Sequence, residues 1–297
     1  MSENSGRSAL HRVVTAHPRI YGRNRYVYPV VSRRSRGLSI GVNLNPDKIC
    51  NFDCVYCQVD RTTPPLHRRV DLDRLKVELR DLLEEARSGA IYQSSLFHDI
   101  PDALKRINDI AFSGDGEPTT YPGFLEAVEF AASLKRELGL QDVKLTVLTN
   151  ATRFHRPEVQ AAIDVMYENN GEIWAKLDAG TERYYDRVDR TRVAFDTVTR
   201  NLRDAALRWP LVIQSLFMRI SGEPPPAEEI SAYAGILDDV LSSGGTLKLI
   251  QVHTVARPPA EFDVTALSDS EVDAIAVAVR NRLVDVPVET YYAPRPE

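Results

Sequence analysis

Leu38-Ser39-Ile40-Gly41-Val42-Asn43-Leu44 runs directly into Asn45-Pro46-Asp47-Lys48-Ile49-Cys50-Asn51-Phe52-Asp53-Cys54-Val55-Tyr56-Cys57. The first seven residues form a short, apolar, β-branched run, the pattern of a strand buried on both faces. The thirteen that follow hold all three cysteines of the protein, within eight positions. Chemistry-bearing side chains placed just past the end of a buried strand are the mark of an α/β architecture in which loops converge at the C-terminal ends of parallel strands.

Outward from that stretch the pattern repeats. Further strand candidates fall at 109–113, 143–149, 172–177, 211–218 and 246–253, separated by amphipathic helical segments, so six strand and helix repeats are expected. Asp71 is placed to cap a helix whose Leu72, Leu75, Leu79, Leu82 and Ala86 share one apolar face, and Gly89 marks its stop. Ser268-Asp269-Ser270-Glu271 reads as a capping box ahead of Val272, Ile275, Ala276 and Val279, and Ile230, Tyr233, Leu237 and Val240 line another helix. These stripes are core. Segments 61–70, 89–108 and 221–226 are polar or proline-containing and are expected as surface connections. No internal repeat or low-complexity tract is visible.

The 297 residues, 43% hydrophobic, are enough for one sizeable core. No apolar run reads as a signal sequence or a membrane span, which gives the expectation of a cytoplasmic protein that does not enter a membrane. The net charge of −5 argues against a surface built throughout to neutralise a phosphate backbone. It conceals an asymmetry: eight arginines lie between Arg7 and Arg36, Arg33 and Arg34 among them, with no acidic residue in that span. Residues 1–30 are accordingly read as a basic N-terminal arm, either a solvated extension or an anion-binding element, and residues 31–297 as the main domain.

A cytosolic chain has little use for disulfides, and three is the wrong count to pair them all. A soft metal centre is the better account. Structural zinc would need a fourth ligand, and the nearest candidate, His67, lies ten residues beyond Cys57. Three close thiolates suit instead an iron–sulfur cube with one iron left without a protein ligand.

The Cys-x3-Cys-x2-Cys spacing, with an aromatic immediately before the last cysteine, resembles the signature of the radical S-adenosylmethionine (radical SAM) superfamily. That resemblance implies a partial (β/α)6 TIM-like barrel and one [4Fe–4S] cluster on Cys50, Cys54 and Cys57. It further implies S-adenosylmethionine chelated to the open iron and cleaved by one electron to a 5′-deoxyadenosyl radical that abstracts hydrogen from substrate. It implies as well a reduced flavodoxin or ferredoxin-type electron donor. Tyr56 would lie near the adenine; a packing tyrosine is the plain alternative for that side chain.

At the second strand end, Gly114-Asp115-Gly116-Glu117 offers a close backbone approach and a carboxylate suited to an ammonium group. It is similar to the superfamily's Gly-Gly-Glu element, which holds the methionine amino group, though a glycine turn leading into a helix would look the same. Thr149 and Asn150 supply groups of the kind that bind ribose. Lys176 and Asp178, on one face by strand alternation, complete the expected cofactor-binding set, with a simple salt bridge as the alternative.

Gln251-Val252-His253-Thr254-Val255-Ala256-Arg257-Pro258-Pro259, with Ser32-Arg33-Arg34 and the cysteine motif, resembles the branch related to wyosine synthetase, often labelled iron–sulfur oxidoreductases, over residues of about 30 to 270. Authentic members carry further cysteines for a second cluster. This chain has none to offer, so the likeness extends to cofactor chemistry and not to substrate. His253 and Arg257 are candidate catalytic residues and Gln214 a candidate for orienting substrate, which is an unidentified small molecule, peptide or RNA. Two further readings stay open beside hydrogen abstraction: an electron-transfer iron–sulfur protein, and a tRNA-modifying enzyme related to wyosine synthesis. A zinc-stabilised RNA-binding module is disfavoured by the net charge.

Overall fold

A computed structural model describes Arg19 and residues 21–32 and 36–294. The chain forms two compact units. The first takes the described residues up to 49 together with 64–147 and 158–172; the second takes 50–63, 148–157 and the described residues from 173 onward.

The first unit is built on β1 (Val27–Ser32), β2 (Gly37–Val42), β3 (Ile107–Phe112) and all but the end of β4 (Lys144–Thr149), in that order. β1 pairs antiparallel with β2, whereas β2, β3 and β4 are parallel, with Ile40 opposite Ile110 and Phe112 opposite Val147. Every residue of β2 is buried, as a parallel strand covered on both faces requires. The covering helices are α1 (Leu72–Ser88), α2 (Phe124–Glu137) and α3 (Pro157–Glu168). α1 is capped as its sequence demands: the Asp71 side chain accepts from the Arg74 N–H, and Gly89, at φ +80°, closes the C-terminus in the left-handed conformation. Leu75, Leu79, Leu82 and Leu83 are buried, and α1 packs against β1, β2 and α2. The Phe112 and Phe124 rings meet edge to face at 5.7 Å.

The second unit carries β5 (Gly171–Lys176) from Ile173 on, β6 (Leu211–Phe217), β8 (Leu247–Thr254) and β10 (Val288–Tyr291), parallel and in that order. A two-residue antiparallel ladder, β7 (Arg219–Ile220) with β9 (Val264–Thr265), lies apart from it. The helices are α4 (Glu182–Asp189), α5 (Phe195–Ala206), α6 (Ala227–Ser242) and α7 (Asp269–Arg282). α7 begins in the expected capping box: Ser268 Oγ accepts from the Glu271 N–H, and Glu271 Oε2 accepts from the Ser268 N–H at 2.8 Å.

All six expected strands are present with ends shifted by no more than about two residues, the ordinary ambiguity of strand termini. Three features depart from the sequence reading. Residues 27–30, the end of the stretch read as an arm, start β1, while 1–18, 20 and the arginines Arg33 and Arg34 lie outside the described residues. β10 closes the second unit's sheet at the far end of the chain. The segment 89–108 is not merely a surface connection: it forms 3-10 turns at Ala90–Gln93 and Asp102–Leu104 and buries Ile91, Phe97 and Ile100, because those apolar side chains outweigh its polar composition.

Candidate functional site

In the first unit, the loop after β3 is pressed onto the segment that leads into the cysteines. A Cβ added at Gly114 would stand 2.3 Å from Asn43 Oδ1, and one at Gly116 would stand 2.2 Å from the Ile49 carbonyl oxygen, so only glycine fits at either position. Ile49 is the residue immediately before Cys50. Asn43 fastens the loop by accepting from the Asp115 N–H at 3.2 Å and donating to Asp115 Oδ2 at 2.7 Å, while Arg19 donates to Asp115 Oδ1. Asp115 thus serves the loop's own framework. Glu117 is buried, and its Oε1 accepts from the Thr119 N–H and hydroxyl at 3.2 and 2.6 Å, capping the short turn Pro118–Thr120. Asn45, also buried, has its Oδ1 without a hydrogen-bond partner beside Gly116.

In the second unit, Cys50, Cys54 and Cys57 are half-buried thiols on one loop, none of them in a disulfide. That loop is tied down by its main chain and by amides. Asp53 N–H and Val55 N–H donate to the carbonyls of Asp189 and Val188 at 3.0 and 2.9 Å. Asn51 accepts from Asn150 Nδ2 at 2.8 Å and donates to Thr152 Oγ1 at 2.7 Å, and Thr152 in turn donates to Asn150 Oδ1. The triangle Asn51, Asn150, Thr152 so binds the loop to the end of β4. Thr149 Oγ1 accepts from the Ala151 N–H, helping Ala151 hold φ +61°.

The sulfurs are set among charges. The Cys54 thiol donates to Asp189 Oδ1 at 3.2 Å, and Lys176 Nζ lies 3.8 Å from the same sulfur. Lys176 also donates to the Tyr56 hydroxyl, stands 4.6 Å over the Tyr56 ring, and pairs with Asp178 Oδ2 at 3.3 Å. Tyr56 donates to Asp178, whose other oxygen accepts from the Leu216 N–H at 2.7 Å. Arg61 reaches Cys57 Sγ at 3.9 Å while pairing with Asp53 at 2.8 Å, and the Phe52 N–H points at Cys50 Sγ at 3.5 Å. Burial pushes the Cys54 thiol up, and burial together with the Asp178 charge raises the Asp189 carboxyl to about 7. Burial would lower Lys176, but the anionic forms of Cys54, Asp178 and Asp189 outweigh it and hold the ammonium above its ordinary value.

Among the described residues no three His, Cys, Asp or Glu side chains converge as the ligand set of a single ion. A cubane takes one thiolate at each of several irons, so its ligands need not meet at a point. Soft donors on one loop, an N–H directed at sulfur, and cations beside two of the three thiols suit such a group.

The profile of the Radical SAM superfamily matches residues 44–219, more than half of the chain and the whole cysteine loop. The chain belongs to the radical SAM superfamily. It is a radical SAM enzyme of the α/β class, built on parallel strands. A UPF0026 protein of Helicobacter pylori is 26% identical over 268 residues, 87% of this chain and 75% of that one. The crystal structure of archaeal TYW1 superposes with a TM-score of 0.52 at 12% identity, covering 88% of this chain and 85% of that one. TYW1 with a lysine-pyruvate adduct bound gives a TM-score of 0.50 at 16% identity, over 83% and 74%. At those identities the likeness is one of fold.

Within this radical SAM chain, the second unit gathers Tyr56, Lys176 and Asp178 around Cys54, and joins Asn150 to the cysteine loop through Asn51. The Lys176–Asp178 salt bridge and the placement beside Tyr56 are one arrangement. His253 occupies β8 between Leu216 and Tyr291 in register. The Arg257 backbone carbonyl accepts from Gln58, the residue after Cys57, at 2.9 Å, and Gln214 is buried against Gln251 at 3.2 Å. Sequence reasoning missed Asp189, Asn43, Asn51 and Arg61. Asp189 had a signal: it follows Tyr184, Tyr185 and Val188 on the buried face of α4, where a carboxylate is out of place without a partner. No helix among the described residues is long and apolar enough to cross a membrane.

Proposed function

We propose that Cys50, Cys54 and Cys57 hold one [4Fe–4S] cluster and that S-adenosylmethionine binds beside it, with Gly114, Gly116, Glu117, Tyr56, Thr149, Asn150, Lys176 and Asp178 as its receptor. The observation that carries this reading is the chemical setting of the cysteine loop: three thiols outside any disulfide, two of them within 4 Å of a cation, on a main chain anchored independently of them. When bound, the cluster supplies the electron that cleaves the sulfonium and releases a 5′-deoxyadenosyl radical able to take hydrogen from substrate. The protein's own part is to bind and orient. Gly114 and Gly116 let the backbone approach the methionine moiety, the Glu117 carboxylate receives its ammonium, and Thr149 and Asn150 face the ribose. Tyr56, clamped at its hydroxyl by Lys176 and Asp178, offers a fixed ring face to adenine. His253 and Arg257 orient substrate. A flavodoxin or ferredoxin-type protein delivers the electron.

With all three cysteines of this sequence committed to the cluster, none would remain to ligate an auxiliary cluster or to carry a thiyl radical, so hydrogen would leave substrate without a cysteine relay from this chain. The net charge favours a small molecule or a peptide over RNA. The test is anaerobic reconstitution followed by reduction in the presence of S-adenosylmethionine. About four irons and four sulfides per chain, lost on replacing any one cysteine by alanine, together with 5′-deoxyadenosine among the products, is the expected result. Stoichiometric zinc with no iron uptake would overturn it. A cluster without 5′-deoxyadenosine would leave an electron-transfer protein. Salt-steep binding of tRNA, flattened by replacing Arg33 and Arg34, would turn the substrate assignment to nucleic acid.

A further inference from the structure

We infer that Lys176 sets the reduction potential of the cluster, acting as a fixed counter-charge to its Cys54 ligand. The inference rests on the reading of the cysteines as cluster ligands. Its ground is an imbalance of charge within the second unit. Two carboxylates, Asp178 and Asp189, are 3% and 2% exposed, and Asp189 lies 3.2 Å from Cys54 Sγ. The cation set against them at that sulfur is Lys176, 3.8 Å from it.

The ammonium is immobilised from several sides: by the Tyr56 hydroxyl, by Asp178 at 3.3 Å, and by the Tyr56 ring at 4.6 Å. Asp178 is itself held by the Leu216 N–H, so the position of the charge is built into β5 and β6. Loading the loop turns Cys54 into a thiolate beside two buried acids, and one-electron reduction then adds a further negative charge to the same place. In a partly buried setting a fixed cation at this distance is weakly screened and favours the more negative state. Asp178 does two things at once: it holds Lys176 in place and partly offsets its charge. Lys176 is a positioning residue in this sense, acting on the group through its ligand and through the clamp on Tyr56.

The experiment is a redox titration of the reconstituted 297-residue protein without S-adenosylmethionine. It uses dithionite as electron source and mediators, and follows the reduced cluster by electron paramagnetic resonance. Lys176→Met is expected to lower the equilibrium constant for reduction at least tenfold, about 60 mV for a one-electron couple. Lys176→Arg, which keeps the charge, is expected to stay near wild type. Asp178→Asn removes an anion and is expected to shift the potential the opposite way. Equal potentials in wild type and Lys176→Met would overturn the inference, as would Lys176→Arg shifting as far as Lys176→Met, or Asp178→Asn moving in the same direction as Lys176→Met. If Lys176→Met takes up no iron, the sign of the Asp178→Asn shift decides. Iron and sulfide are measured on the same samples: a wild type that loads no cluster defeats the assignment of the cysteines, whereas loaded samples with the wrong pattern of potentials defeat the role of Lys176 alone.

Discussion

Glu117 illustrates how one side chain can serve both framework and ligand. Its Oε1 already caps the turn Pro118–Thr120, so truncation and neutralisation separate two effects. Glu117→Gln retains an acceptor for the Thr119 N–H and should leave the melting temperature near wild type. It should weaken S-adenosylmethionine binding, read by calorimetry, at least tenfold, the loss of a charge-assisted bond worth about 1.5 kcal/mol or more. Glu117→Ala should lose the cap as well, at about 1 kcal/mol. Gly116 is a sharper case. A methyl group there meets a backbone carbonyl at 2.2 Å, which cannot swing away, so Gly116→Ala should cost about 1–3 kcal/mol in denaturant unfolding.

Lys135 gives the residue-scale pH dependence. It is 1% exposed, and its Nζ donates to the carbonyls of Val143 and Asn169. Burial pushes it down to about 8, with Arg136 adding to the fall and Asp142 opposing it. Its unfolded value is the ordinary one, about 10.4. Between these two values the unfolded chain holds a proton that the folded chain has released, so stability rises with pH across that window. The stability of wild type relative to Lys135→Met should therefore increase from pH 8 to pH 10; a difference that stays constant would show that Lys135 is charged when folded.

At the scale of elements, α7 is expected to depend on its capping box: Ser268→Ala should destabilise the protein by about 1 kcal/mol in thermal or chemical unfolding, with iron content unaltered. The core strands were legible because burial on both faces forces continuous apolar runs such as Ile110 to Phe112 and Leu211 to Ile213, which survive any choice of neighbours. β1 and β10 were not. β1 contains Pro29, which argues against a strand interior and is tolerated here because β1 is the terminal strand of its unit's sheet. β10 has four residues, none fully buried, and no hydrophobic pattern to announce it. Loop residues divide the same way. The cysteines and the glycine loop carry local signatures, whereas Asn43, Asn51 and Asp189 gain their roles from partners 72, 99 and 135 positions away, a distance at which local pattern is silent.

At the scale of the molecule, each unit has a core of its own: Leu38, Ile40, Leu79 and Leu83 in the first, Ile213, Phe217, Tyr233 and Val279 in the second. None of these depends on the cysteines. Removing the cluster from reconstituted protein by oxidation and chelation should therefore leave the far-ultraviolet circular dichroism unchanged, unlike a metal-nucleated domain, which unfolds when its ion is taken away. Loss of helical signal in step with loss of iron would contradict this.

The attachment of the cysteine loop to the end of α4 has a consequence for which substitutions it can accept. Val188 and Asp189 supply terminal helix carbonyls, which lack partners inside the helix and here receive the N–H groups of Asp53 and Val55. Main-chain donors are common to every amino acid but one. At position 53, whose side chain is 61% exposed, the loop's course should survive exchange for almost any residue, while proline, which has no N–H to give, should be barred. Natural variation among relatives should accordingly run freely through position 53 and stop short at that single amino acid.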